Sequence, residues 1–216
     1  MKYILMDLDG TLTNPKIGIT KSVQYALNAF NTWEPDLDNL CKYIGPPLRV
    51  SFQEFNGFNE EEAEAAVAKY REYFAVTGLF ENELYEGIDT LLAKLKKAGK
   101  TLIVATSKPE IFAKKILKHF KLEQFFTDIC GATLDASRST KEEVIRYALD
   151  KNGITDYTSV VMVGDRIHDI EGAKNVGITS IGVLYGFGGR EELEEAGADR
   201  ISDTVDALYG IIMDLN

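Results

Sequence analysis

Short apolar runs alternate with amphipathic stretches along most of the chain. Runs rich in β-branched residues predict buried strands, and apolar residues three or four positions apart predict helices. The helical patterns separate the strands and include residues 88–98, 113–120, a helix that begins at 140, and 205–215. This alternation predicts an α/β fold with a parallel sheet and helices on both faces. The predicted strands are 3–6, 101–105, 126–130, 160–163 and 179–183.

Residues 20–80 interrupt this alternation soon after the first strand and contain only helical patterns. One predicted helix follows Thr20 as a candidate N-cap, a second covers 37–44, a third begins near Pro47, and a fourth is capped by Asn59. The simplest interpretation is an all-helical domain inserted into an α/β core. We expect a discontinuous core of residues 1–14 and 83–216 and a helical domain of residues 15–82.

Composition narrows the class of protein. The chain has 216 residues, of which 45% are hydrophobic and 27% charged, as in ordinary soluble globular proteins. Its net charge of −10 argues against nucleic acid or a membrane as a partner. No apolar run approaches the roughly 20 residues that span a bilayer. Cys41 and Cys130 form no CxxC motif, and the first strand begins too early to leave room for a signal peptide, so we expect a cytoplasmic protein.

Two carboxylates close the first strand, at Asp7 and Asp9, and Gly10 and Thr11 follow. Strand positions two apart point the same way, so both acids would share one small volume, which requires a cation or a shared proton. A calcium loop is a poor alternative because its twelfth position, a Glu in such loops, is Gly18 here. An ordinary strand-ending turn is the other alternative.

Two further strands also end in polar groups, Thr106 with Ser107 and, later, Asp165. The carboxyl ends of parallel strands meet at one edge, where ligands bind. Asp165 and Asp169 are four residues apart and can share one helical face, although Asp165 alone could be a helix cap. Asp7 and Asp9, together with Asp165 and Asp169, would form a site whose ligands are all oxygen atoms. Such a site favours Mg²⁺ over zinc.

Lys141 occupies the first turn of a predicted helix, because Thr140 and Glu143 match a capping box. A cation opposes the helix dipole at this end. A solvated lysine is one interpretation. The other is that Lys141 reaches the acidic site, keeps Asp7 ionised and binds an anion.

These segments together resemble the four motifs of the haloacid dehalogenase superfamily: DLDGT (7–11), the strand ending at Thr106, Lys141 and GDRIHD (164–169). Residues 44–49 and the tail from Tyr185 to Asp199 resemble the phosphoglycolate phosphatase-like branch, which includes relatives described as 5′-nucleotidases. The resemblance covers the whole chain and implies a Rossmann-like core with a helical cap domain.

The resemblance also implies a mechanism and a site. Asp7 would attack phosphorus to form an aspartyl phosphate, and Asp9 would act as general acid and then as general base. Mg²⁺ would be held by the carboxylates of Asp7 and Asp165 and the backbone carbonyl of Asp9, with Asp169 in support. Thr106 and Lys141 would hold the phosphoryl oxygens. The predicted substrate contacts are Gly10, Thr11, Thr106, Ser107, Lys108 and, in the helical domain, Arg49.

The predicted function is therefore a Mg²⁺-dependent phosphatase acting on a small phosphorylated metabolite, of the phosphoglycolate or nucleoside monophosphate class. A sugar phosphomutase shares these motifs and remains an alternative. A non-catalytic protein that binds a phosphorylated ligand is another alternative, from a different class. We expect a monomer or a homodimer. Arg49 is chosen because a guanidinium pairs well with carboxylate or phosphate, and a plain surface arginine is the competing interpretation.

Overall fold

A computed structural model describes residues 1–215 of the chain. The chain divides into two compact units: an α/β unit, Met1–Asn14 with Leu84–Asn216, and a helical unit, Pro15–Glu83. Within the described residues, no helix is both long enough and apolar enough to cross a membrane.

The described strands are β1 (Tyr3–Met6), β2 (Thr13–Asn14), β3 (Glu83–Leu84), β4 (Thr101–Pro109), β5 (Asp128–Ala132), β6 (Val160–Gly164), β7 (Thr179–Val183) and β8 (Arg200–Ser202). Six of them form the sheet at the centre of the α/β unit, in the order β5-β4-β1-β6-β7-β8 and with parallel pairing throughout. A separate two-stranded sheet pairs β2 with β3.

Helices follow the strands in alternation, which confirms the predicted α/β fold. They are α4 (Ile88–Lys97), α5 (Glu110–His119), α6 (Lys141–Lys151), α7 (Ile167–Val176), α8 (Arg190–Ala196) and α9 (Val205–Asp214).

Both faces of the central strand β1 are buried. Leu5 is aligned with Ile103 on β4 and Met162 on β6, and all three pack against apolar residues of α6 and α7. Ile4 and Met6, on the opposite face, are also fully buried. A strand that is covered on both sides reads as a continuous apolar run, which is why Tyr3–Met6 lacks polar alternation. The residues that follow β1, β4 and β6 therefore share the carboxyl edge of the sheet.

The helical unit contains α1 (Lys16–Ala29), α2 (Leu48–Asn56) and α3 (Glu60–Tyr73), together with a 3₁₀ segment, Leu37–Tyr43, and a π-helical turn, Phe74–Gly78. Aromatic residues form much of its interior, with ring centroids 5.4 Å apart for Tyr43 and Phe52 and 5.1 Å apart for Tyr70 and Phe74. Asn59 caps α3 through a capping box, as predicted.

Two predicted boundaries were wrong, and one strand of the central sheet was not predicted. Helix α1 begins at Lys16, so Thr20 is an interior residue whose hydroxyl donates to the Lys16 carbonyl. Strand β4 continues past Thr106 to Pro109 because an irregularity in its pairing with β5 extends it. Strand β8 was not predicted, since three residues are too few to show a period.

Candidate active site

The segment after β1 turns sharply at Gly10. The backbone amide of Asp7 donates to the Val163 carbonyl at 2.9 Å, which continues the β1–β6 pairing up to the first acid. Gly10 has φ of +78°, and a β-carbon at this position would overlap the carboxylate of Asp165. Only glycine meets both requirements without strain. The turn therefore brings Asp165 against the segment that carries Asp7 and Asp9.

Three buried acids converge at this edge: Asp7, Asp165 and Asp169. Each offers a carboxylate oxygen within 4.8 Å of the others. Asp165 follows β6, and Asp169 lies in the first turn of α7, where its Oδ2 accepts a hydrogen bond from the Arg166 amide at 3.1 Å. Burial raises the pKa of Asp165, and it raises the pKa of Asp169 to about 6.

Lys141 supplies positive charge at the centre of this cluster. Its Nζ lies 2.8 Å from Oδ1 of Asp7 and 2.6 Å from Oδ1 of Asp169, and it donates to the Ala105 carbonyl at 3.1 Å. Burial alone would lower the pKa of Lys141, but Asp169 and Asp7 outweigh it and raise that pKa. The ammonium is therefore held in its charged form although it is almost fully buried.

The loop at 185–189 supports Asp165 from a different part of the chain. The amide of Phe187 donates to Asp165 Oδ2 at 2.7 Å. Gly186 and Gly188 let the loop backbone approach Asp165, because a β-carbon at either position would overlap it. From the sequence, Gly186 to Gly189 with Arg190 suggest either a phosphate-binding loop or, as the preferred prediction, a loop that leads into a helix at Glu191. Its closely spaced glycines were the one available signal.

Asp9 does not join the cluster of three acids through its side chain. Its Oδ2 lies 2.7 Å from the ammonium of Lys108, and both side chains are largely buried. Burial raises the pKa of Asp9, while Lys108 acts in the opposite direction. The structure thus places Lys108 beside the predicted general acid. That contact had no signal in the sequence, because it depends on the irregular end of β4.

The remaining predicted contacts are distributed as follows. Thr106 is buried at the same edge, and its Oγ1 accepts a hydrogen bond from the Lys108 amide at 3.2 Å. Thr11 is fully buried, and Ser107 is partly exposed. Arg49 belongs to the helical unit, where its exposed guanidinium pairs with Glu60 at 3.3 Å and Glu64 at 3.6 Å. Its role in substrate binding stays a prediction.

The acidic cluster fits a divalent cation. Three carboxylates against the one ammonium of Lys141 leave two uncompensated negative charges in a buried space. Oδ1 of Asp165 is buried and lacks a hydrogen-bond partner within residues 1–215. Buried charges require a partner or a metal, and a donor set made only of oxygens suits Mg²⁺. Asp7, Asp165 and Asp169 are thus the side chains that could hold the ion.

Comparison with known proteins agrees with this geometry. Residues 4–183 match the family model described as haloacid dehalogenase-like hydrolase. A 5′-nucleotidase from Pseudomonas aeruginosa is 50% identical over 190 residues, which are 88% of this chain and 86% of that protein. The tyrosine-protein kinase PtkA of Mycobacterium tuberculosis is 39% identical over 209 residues, covering 96% of this chain and 71% of the kinase.

A solved structure extends the likeness to the whole fold. The crystal structure of a predicted phosphatase from Clostridium acetobutylicum superposes with a TM-score of 0.97 at 50% identity, and the match covers 99% of both chains. The family model spans the segments from β1 to β7 on which the acids and Lys141 lie. The chain therefore belongs to the haloacid dehalogenase-like hydrolases, as its motifs predict, and it is a phosphatase of that family.

Proposed function

We propose that this phosphatase is Mg²⁺-dependent and hydrolyses small phosphomonoesters through an aspartyl phosphate on Asp7. The observation that supports this most directly is the position of Asp7. Its carboxylate shares a buried site with two further acids, and Lys141 lies 2.8 Å away. An ionised carboxylate in that setting is a nucleophile, and a nearby cation can stabilise charge on phosphoryl oxygens.

Each residue then has a separate task. Asp7 forms the bond to phosphorus, and Asp9 gives a proton to the leaving oxygen and later takes one from water. Lys141 and Thr106 hold the phosphoryl oxygens. The carboxylates of Asp7 and Asp165, supported by Asp169, and the carbonyl of Asp9 would bind Mg²⁺. When bound, the ion supplies charge neutralisation that lets an anionic nucleophile approach an anionic ester.

For the substrate class we propose a nucleoside monophosphate or phosphoglycolate, with the first favoured. The support is the 5′-nucleotidase that shares 50% identity with this chain. We further propose that the helical unit is a cap domain that selects the substrate, and that Arg49 binds a substrate anion. The insertion begins four positions after Thr11 in the sequence, which supports that role.

A cytoplasmic location is also part of the proposal. Its support is chemical: both Cys41 and Cys130 are free thiols, as expected of a protein from a reducing compartment. The predicted monomer or homodimer stays a prediction.

The test is phosphate release from a panel of phosphoglycolate, nucleoside monophosphates, sugar phosphates, phosphotyrosine and 4-nitrophenyl phosphate. Activity should require Mg²⁺, stop with EDTA and be absent in Asp7→Asn. Denaturing the enzyme rapidly during turnover should trap phosphate on wild-type protein and none on Asp7→Asn. Turnover that survives in Asp7→Asn would rule out the aspartyl phosphate.

The alternatives give different results in the same assay. A sugar phosphomutase would interconvert sugar phosphates and release little phosphate, and a non-catalytic binder would protect a phosphorylated ligand without converting it. Because one relative is named a tyrosine-protein kinase, the panel should also contain ATP with a tyrosine peptide. Transfer of phosphate to the peptide would then replace hydrolysis as the main activity.

A further inference from the structure

Lys108 holds the carboxylate of Asp9 in an ion pair that is almost closed to solvent. Lys108 Nζ lies 2.7 Å from Asp9 Oδ2, and the side chains of Lys108 and Asp9 are only 6% and 12% exposed. The other carboxylate oxygen, Oδ1, is buried and has no hydrogen-bond partner within residues 1–215. Within residues 1–215, the ion pair with Lys108 is therefore the polar contact that holds this carboxylate.

The irregular end of β4 places the Lys108 side chain beside Asp9. Pairing between β4 and β5 shifts register between Thr106 and Pro109. Inside this irregular segment, the Lys108 amide donates to Thr106 Oγ1 at 3.2 Å. Irregularities of this kind re-aim side chains next to active sites. The same segment thus presents Thr106 to the site and the Lys108 ammonium to Asp9.

We propose that Lys108 is a positioning residue for the general acid, rather than a residue that binds substrate. This inference rests on the proposed function. As the bond from Asp7 to phosphorus forms, the ester P–O bond breaks and its electron pair goes to the leaving oxygen. That oxygen takes the proton of Asp9, and the carboxylate left behind stays paired with Lys108. Water later returns a proton to Asp9 as its oxygen attacks phosphorus and releases Asp7.

A residue that positions a general acid has a recognisable kinetic effect. Proton donation matters most when the leaving oxygen is strongly basic, and it matters little when the leaving group is a stable phenolate. Loss of a phosphate-binding cation would instead slow all esters alike, because every ester presents the same phosphoryl group.

The experiment compares phenyl phosphate with 4-nitrophenyl phosphate, which have similar shapes and leaving groups of very different basicity. The variants are Lys108→Met, Lys108→Arg, Asp9→Asn and the double variant Lys108→Met with Asp9→Asn. Lys115→Met is the matched control, because Lys115 is an exposed lysine on α5. Circular dichroism and the shift of the unfolding temperature with Mg²⁺ show whether each variant folds and binds the ion.

We expect Lys108→Met to lower kcat/KM roughly 10- to 100-fold on phenyl phosphate and only a few-fold on 4-nitrophenyl phosphate, because kcat/KM reports cleavage of the ester and excludes hydrolysis of the aspartyl phosphate that both esters share. Lys108→Arg should restore part of the loss, and the double variant should be no slower than Asp9→Asn. Equal losses on both esters, or losses that add to those of Asp9→Asn, would overturn the inference. A wild-type protein that hydrolyses neither ester would instead overturn the proposed function, and with it this role of Lys108.

Discussion

The ammonium of Lys141 lies 2.8 Å from the Asp7 carboxylate, although the two residues belong to the two separate chain segments that make up the α/β unit. The same ammonium contacts Asp169 at 2.6 Å, so one buried cation serves two of the three clustered acids. The site therefore places a buried cation directly against the proposed nucleophile, Asp7.

Replacing Lys141 should affect stability as well as activity. Lys141→Met leaves the buried carboxylates of Asp7 and Asp169 without their cation, and breaking a buried ion pair costs about 3–5 kcal/mol. We expect a drop of that order in the free energy of unfolding with EDTA, partly recovered with Mg²⁺. Urea denaturation measures it, and Lys114→Met, which removes an exposed lysine on α5, is the control. If Lys141→Met and Lys114→Met lose the same free energy of unfolding, Lys141 does not compensate the charge of the buried acids.

Asp9→Asn should separate metal binding from turnover. The Asp9 side chain lies outside the cluster of three acids, so the affinity for Mg²⁺, measured by calorimetry, should stay within a few-fold of wild type. Turnover should fall roughly 10²- to 10⁴-fold, the usual contribution of a general acid and base. Near-normal turnover would remove Asp9 from that role.

The stability of the metal-free protein should depend on pH through Asp169. Burial raises the pKa of this acid from 3.8 to about 6, so the folded state binds more protons than the unfolded state between these values. The resulting contribution to stability is present below pH 3.8 and is lost as pH rises through about 6.

Under the proposed Mg²⁺ dependence, the ion would bind the ionised carboxylates and should therefore raise the unfolding temperature more at about pH 7.5 than at about pH 5. Differential scanning fluorimetry with EDTA or Mg²⁺ measures this difference, and Asp169→Asn should reduce it. A shift that does not change with pH would contradict the prediction.

Gly10→Ala tests the close approach to Asp165. The substitution introduces strain at a left-handed residue and an overlap with the Asp165 carboxylate. Gly153→Ala is a matched control, because Gly153 has φ of +62° and open space around it. We expect a loss of about 1 kcal/mol in the control and a larger loss in Gly10→Ala, with activity reduced only in the latter. If Gly10→Ala and Gly153→Ala have the same effect on stability and the same effect on activity, the close contact between Gly10 and Asp165 is unimportant.

Arg49→Ala tests the one predicted contact that lies in the helical unit. We expect a changed preference among anionic substrates and an unchanged requirement for Mg²⁺, measured on the same panel of esters. Glu60→Gln, which keeps Arg49 but removes one of its ion-pair partners, is the companion variant. If Arg49→Ala has the wild-type substrate profile, Arg49 has no role in selection.

Much of the site could be anticipated because its parts are local. Asp7 and Asp165 each end a buried strand, and strands of this kind are visible as apolar runs. Lys141 was placed by a capping box, and the structure confirms that Thr140 and Glu143 form it. The sheet edge then brings these segments together, since parallel strands align their carboxyl ends.

The parts that could not be anticipated depend on tertiary contacts. The register shift in β4 arises from pairing with β5, and Pro109 in the sequence suggests an earlier end of the strand. Helix α1 begins after Pro15 without a side-chain cap, so Thr20 was the more visible start signal. The hydrogen bond from Phe187 to Asp165 joins two loops and leaves no periodic trace in either.

The hydrogen bond from Phe187 to Asp165 has a practical consequence for the design of truncated or circularly permuted variants of this protein. The region matched by the family model stops at residue 183, four positions before the amide that steadies Asp165. A fragment trimmed to the matched region would retain every acid of the cluster and lose the backbone that orients one of them. Minimal versions and circular permutants should therefore keep the connection from β7 through α8 intact.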